Sequence, residues 1–225
     1  MLFVILLAIV GMALQGAFIT VEHKEKYVAA DILKGAAAAC FVIIGIIGYV
    51  TKTTDSFGIK LVVGLIFGMF GDILLNLRFI LGEEKGQKVF LLGIVAFLIG
   101  HILYLAALIP LASHKGICIV VGTLLTVALL VYLYMTMDVK LVFKIFGVFY
   151  LGAVILMTVM AVDVALVQQS VRSVDYAIGA FLFMVSDIVL IFNTFSGTSR
   201  FSMRIVNLSL YYIGQLMIAM CMFLK

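Results

Sequence analysis

Asp72 and Asp187 sit inside long apolar runs, 115 residues apart in a chain of 225. Ionisable groups at such depth are costly, and they mark chemistry by default. Two carboxyl groups sharing one low-dielectric site can divide the work of acid catalysis. One keeps its proton and donates it; the other stays ionised and steadies a developing cation or activates water. Residue types alone leave open which aspartate is the acid. His101 is the third deep ionisable group. It can orient a carboxyl group or a water, or simply hydrogen-bond a neighbouring helix.

The neighbours of these groups say where they point. Gly64, Gly68, Asp72 and Asn76 form an i, i+4 stripe. A Gly-xxx-Gly pair lets helices approach closely, so Asp72 should face a helix interface and not lipid. Phe97, His101, Tyr104 and Leu108 share a second face, and Asn207, Tyr211 and Gln215 a third. Asn76, Asn193 and Gln215 are expected to support the site as donors. Ser186 reads as packing, Asp163 and Asp175 as solvated helix ends, and Glu83 and Glu84 as loop residues. Arg78, Arg200 and Arg204 flank the aspartate-bearing runs. They could hold a phosphate or serve as snorkelling anchors. A metal centre is not expected, because a catalytic zinc needs about three ligands and His23 and His114 fall in loops on opposite sides. No cofactor motif occurs: glycine-rich phosphate loop, haem site and nucleophile elbow are all absent.

Such residues need elements that hold them in an apolar medium. Hydrophobic residues make up 66% of the chain, charged residues 12%, and the mean hydropathy is +1.33. A water-soluble fold of this length could not hide that much apolar surface, and a disordered chain would be polar. An outer-membrane barrel would alternate polar and apolar residues. The fold class is therefore all-α: a polytopic membrane bundle of about eight transmembrane helices. The spans are expected near 2–21, 35–51, 59–78, 89–110, 116–136, 142–162, 174–195 and 204–224. The first lacks a basic leader and a cleavage site, so it reads as a retained span.

The net charge of +4 comes from cations in short connecting loops, which suits lipid headgroups and not nucleic acid. Cys40, Cys118 and Cys221 each lie in an apolar run and read as small buried hydrophobes. Lys24, Lys26, Lys34, Arg78, Lys85, Lys88, Lys140, Lys144, Arg200 and Arg204 fall on one side of the membrane. Lys52, Lys60, Lys115, Arg172 and Lys225 fall on the other. The first set is larger, so its side is expected to be cytoplasmic, with both termini outside. A bacterial plasma membrane is the expected location.

The chain also repeats itself. Phe70-Gly71-Asp72-Ile73-Leu74-Leu75 parallels Val185-Ser186-Asp187-Ile188-Val189-Leu190. Phe97-Leu98-Ile99-Gly100-His101 parallels Tyr211-Tyr212-Ile213-Gly214-Gln215. The offset is 115 for the aspartates and 114 for the His101/Gln215 pair. A single transmembrane domain over 1–225, built as a 4+4 repeat with halves near 1–110 and 111–225, follows. Spans 3, 4, 7 and 8 would then enclose one polar cavity.

These motifs, taken in order, resemble the YhhN-like lysoplasmalogenase family. Gly71 to Leu75 and Gly93 to Tyr104 resemble its first signature, Phe183 to Phe195 and Tyr211 to Leu216 its second. The resemblance implies an integral membrane hydrolase of the vinyl-ether bond of lysoplasmalogens. Its products would be a fatty aldehyde and a glycerophospho-ethanolamine or -choline. It carries the family's two acidic positions to Asp72 and Asp187. The implied partners are a lysophospholipid drawn from the bilayer and water; oligomeric state is not implied. Two other readings remain at this stage. A duplicated bundle with midplane acids also suits a proton- or cation-coupled transporter of a small or lipid-like substrate. In a lipid-binding or structural protein the aspartates would be interhelical glue.

Overall fold

In lipid every backbone N–H and C=O must find a partner within the chain, and an apolar segment of about 20 residues solves this by becoming a helix. The computed structural model, which describes residues 1–225, contains eight such helices. They are α1 (Leu2–His23), α2 (Tyr27–Thr51), α3 (Ser56–Leu77), α4 (Glu83–Leu108), α5 (Lys115–Thr136), α6 (Leu141–Gln168), α7 (Val171–Phe195) and α8 (Phe201–Met220). A short 3₁₀ turn, Cys221–Phe223, closes the chain. The protein is an integral, multi-pass membrane protein.

Most helix ends have no side-chain cap. The exceptions are Asp55, whose Oδ1 accepts from the Gly58 N–H at 2.8 Å, and Ser170, whose Oγ accepts from the Ser173 N–H at 3.1 Å. Both stand at helix N-termini, where a side-chain oxygen satisfies an orphan donor. The turn between α6 and α7 is made at Gln169, in the left-handed region at φ 50°.

Two helices depart from the hydropathy reading in an informative way. α2 begins at Tyr27, eight residues before the expected start at 35. Asp31 and Lys34 depress local hydropathy, yet the helix runs through them because Lys34 finds a buried counter-ion, described below. α6 continues to Gln168, past the expected end at 162. Asp163 does not stop it, because its carboxylate is satisfied by the N–H groups of Ser113 and His114 and by the His114 ring at 2.7 Å.

Neighbour relations follow a pattern. Along the first four helices α1 packs on α2, α2 on α3 and α3 on α4. Along the second four α5 packs on α6, α6 on α7 and α7 on α8. The halves meet where α4 lies on α6 and α2 on α8. The closest crossings are built by glycine pairs. A Cβ on Gly100 would lie 3.1 Å from the Gly64 carbonyl oxygen, and one on Gly214 would lie 2.7 Å from that of Gly179. The two crossings are related by the offsets 115 and 114 that relate the aspartate and His101/Gln215 motifs. Outward, α5 presents Ile117, Val120, Leu124 and Val131, each more than half exposed (64, 58, 65 and 51%). That is a surface for lipid, not water.

Backbone has no soft way to yield at the second crossing. Gly214→Ala is expected to lower stability by about 2 kcal/mol through overpacking, whereas Gly16→Ala, with nothing within 4 Å of the new methyl group, should be neutral. Thermal unfolding in detergent compares the two.

Candidate active site

Small residues on α3 create the site by letting large polar and aromatic groups close over them. Gly64 receives the ring of Tyr104. A Cβ on Gly68 would meet Gln215 Nε2 at 2.7 Å, and one on Gly71 would meet the Phe97 ring at 2.5 Å. Asp72, on the same stripe, is thereby turned into the bundle and is 5% exposed. Asp187 on α7 is 4% exposed. Both aspartates line one cavity of about 130 Å³ to which all eight helices contribute. Nineteen of its 29 lining residues are hydrophobic, so its walls suit a hydrocarbon chain and its polar groups stand out against them.

The two carboxyl groups have unequal surroundings. Asp72 Oδ2 accepts from the Tyr211 hydroxyl at 2.6 Å, and Oδ1 lies 3.2 Å from the Lys34 ammonium. Lys34 is itself buried. Its Nζ sits 4.6 Å from the centre of the Tyr211 ring and 5.0 Å from that of Phe18, an arrangement that favours a cation over aromatic faces. Asp187 has no cation beside it; Tyr150 on α6 donates to its Oδ2 at 2.8 Å. At the 114-residue offset the counterpart of Tyr211 is Phe97, which has no hydroxyl to give. A carboxyl group beside an ammonium is favoured in its ionised form, and one without a cation keeps a proton more readily.

A second polar layer lies one turn further along α3. Glu22 at the end of α1 accepts from Arg204 Nε at 2.9 Å and Nη2 at 2.5 Å, a forked pair. With its amide oriented to suit both partners, Asn76 donates to Glu22 at 2.8 Å and accepts from the Asp31 N–H at 3.2 Å. Ser186 and Asn207 tie α7 to α8 through reciprocal bonds of 2.8–3.0 Å and also line the cavity. Arg78 lines it from just beyond α3, its guanidinium 4.6 Å from the centre of the Phe79 ring and 4.3 Å from that of Phe90. Burial, reinforced by the nearby Arg204 charge, brings Arg78 down to about 10, so it remains a cation at neutral pH.

Of the residues singled out from sequence, Asp72, Asp187, Asn76, Arg78 and Tyr211 meet at the cavity. Tyr104 and Gln215 stand behind it, the Tyr104 hydroxyl donating to Gln215 Oε1 at 2.9 Å. His101 also stands behind. Its Nδ1 pairs with the Phe97 carbonyl at 2.7 Å, and its ring packs edge-on to Phe183 at 4.5 Å and Tyr150 at 5.4 Å. Through Tyr150 it reaches Asp187 only indirectly. Asn193 accepts from the Arg200 N–H at 2.7 Å and so fixes the α7–α8 turn. Arg200 itself is exposed and does not line the cavity.

Sequence reasoning missed Lys34, Tyr150 and Glu22. Lys34, a loop cation by hydropathy, is a buried residue of α2 and leaves the count of loop cations. A signal was present. Ala30, Lys34, Ala37, Ala38 and Phe41 form the buried face of α2, and a run of small residues after a lysine marks a close helix contact, not a loop. Nothing local marks Tyr150 or Glu22.

Known proteins add one relation. The family model described as the YhhN family matches residues 29–222. Neither the curated proteins nor the solved structures contain a match.

Proposed function

The chain belongs to the YhhN family, and on that premise we propose that it is a membrane hydrolase cleaving the vinyl-ether bond of lysoplasmalogens. The observation that carries the reading is the inequality of two aspartates on one cavity. Asp72, between the Lys34 ammonium and the Tyr211 hydroxyl, is the ionised carboxylate. Asp187, with a hydroxyl and no cation, is the protonated acid. The halves near 1–110 and 111–225 are copies of one four-helix unit, a reading supported by the matching glycine crossings. Divergence at their equivalent positions gives the two acids different work.

The reaction follows from that division. Asp187 gives its proton to the vinyl carbon remote from the ether oxygen. The adjacent carbon becomes an oxocarbenium centre, which the negative charge of Asp72 stabilises across a low-dielectric gap. Water adds to this centre and loses a proton to the Asp187 carboxylate. The hemiacetal then collapses to a fatty aldehyde and the glycerophospho alcohol, and Asp187 ends with its proton restored. The net change is one vinyl ether and one water to one aldehyde and one alcohol. The cavity holds the glycerol end, and apolar walls that include Leu130, Leu133 and Ile191 continue towards the alkenyl chain.

Detergent-purified protein given lysoplasmenyl-ethanolamine should release fatty aldehyde and glycerophosphoethanolamine in equal amounts. It should leave the saturated alkyl-ether analogue intact, because that substrate has no carbon to protonate. Protein inert towards vinyl-ether, alkyl-ether and ester lysolipids alike would sink the reading. Proton-coupled flux in liposomes would then point to a transporter.

A further inference from the structure

Five charged residues line the cavity: Lys34, Asp72, Arg78, Asp187 and Arg204. Lys34 is matched by Asp72 at 3.2 Å, and Arg204 is forked onto Glu22. Asp187 is neutral in the reading above. One charge is left over. Arg78 enters no ion pair, and its Nε is buried without a hydrogen-bond partner. Its guanidinium is held near the faces of Phe79 and Phe90, which fix the plane but supply no acceptor. A cation in such surroundings, with unused donors and no counter-ion, is an anion site waiting for its ligand.

We propose that Arg78 is the phosphate-binding residue of this cavity and that the cavity selects a singly charged phosphodiester over a doubly charged phosphomonoester. The proposal rests on the hydrolase reading and names the headgroup class its site accepts. Charge count makes the selection. The phosphate of a diester brings one negative charge and cancels Arg78, while the ammonium of an ethanolamine headgroup sits on a separate two-carbon arm beyond it. A terminal phosphate brings nearly two at neutral pH, and the second finds every other cation already neutralised. Leaving a charge uncompensated in a low-dielectric site is costly. The geometry agrees. Arg78 follows Asp72 by six residues, about 9 Å along a helix axis, a span a glycerol backbone can bridge with its reacting end at the aspartates. Arg204 cannot serve without abandoning Glu22, and Arg200 lies outside the cavity.

The test uses three vinyl-ether substrates with the full-length protein: lysoplasmenyl-ethanolamine, 1-alkenylglycerol 3-phosphate and phosphate-free 1-alkenylglycerol. Arg78→Gln should raise KM for the phosphodiester about tenfold, the worth of one charge-assisted contact, with kcat little changed. The same variant should treat alkenylglycerol as wild type does, which also reports that it folds. Wild type should favour the phosphodiester over the phosphomonoester in kcat/KM by about tenfold or more. An equal loss on the phosphodiester and on alkenylglycerol would overturn the proposal, because Arg78 would then be structural. Equal use of diester and monoester by wild type would overturn the charge selection. Both outcomes leave vinyl-ether hydrolysis standing, whereas wild type inert to all three substrates removes the hydrolase reading itself.

Discussion

Asp187→Asn is expected to lower kcat for vinyl-ether hydrolysis by about a thousandfold, within the range a positioned general acid contributes. The substitution keeps the size and planarity of the side chain. The amide oxygen can still accept from Tyr150, whose hydroxyl lies 2.8 Å from Asp187 Oδ2. What disappears is an acidic proton that can be given to carbon. Because a neutral acid is exchanged for a neutral amide, folding should change by less than roughly 1 kcal/mol. Aldehyde release read beside thermal unfolding separates these effects. A variant that folds and still turns over at the wild-type rate would remove Asp187 from the acid role. Asp72→Asn should behave differently, losing stability together with activity, since it strands the Lys34 ammonium 3.2 Å away.

The second large effect is expected at Lys34. Lys34→Met should cost about 3 kcal/mol, because truncating one partner of a buried ion pair leaves the other uncompensated. Hydrolysis should fall with it, since the Asp72 carboxylate loses the charge that holds it ionised. The double variant Lys34→Met with Asp72→Asn should regain most of the lost stability while remaining inactive. Such recovery is the coupling signature of a direct pair, read from the thermal unfolding of the single and double variants in one cycle. A double variant no more stable than Lys34→Met would show that the contact is not an ion pair. Activity is expected to track the pair, and stability to track only its charge balance.

Six of the eight helices start within three residues of where hydropathy places them, because a bilayer leaves the backbone few alternatives and hydropathy reports its thickness directly. α4 begins six residues early, at Glu83, and α2 eight residues early, because Lys34 reads as a loop cation. Hydropathy scores each residue as though it faced lipid or water. It has no term for a counter-ion supplied by another helix. Asp72 and Asp187 stood out for the opposite reason: an acid deep in an apolar run is costly, and two at a matching offset are harder to read as interhelical glue. The i, i+4 glycines of α3 correctly aimed Asp72 inward. His101 met the same rarity criterion yet lies behind the cavity, engaged with its own helix and a cage of rings. Rarity reports burial, and burial is shared by groups that meet a substrate and groups that do not.

Composition and spacing by themselves determined a bundle of eight spans and two acids 115 residues apart inside apolar runs. These are local properties: each depends on residues within one helix, or on the comparison of one apolar run with another. Which of the two acids has a cation beside it was decided only by tertiary structure. That depends on Lys34 from α2 and Tyr211 from α8 reaching Asp72, and on Tyr150 from α6 alone reaching Asp187. Electrostatic identity in a low-dielectric interior is set by neighbours within a few ångströms, and those neighbours come from helices far apart in the chain.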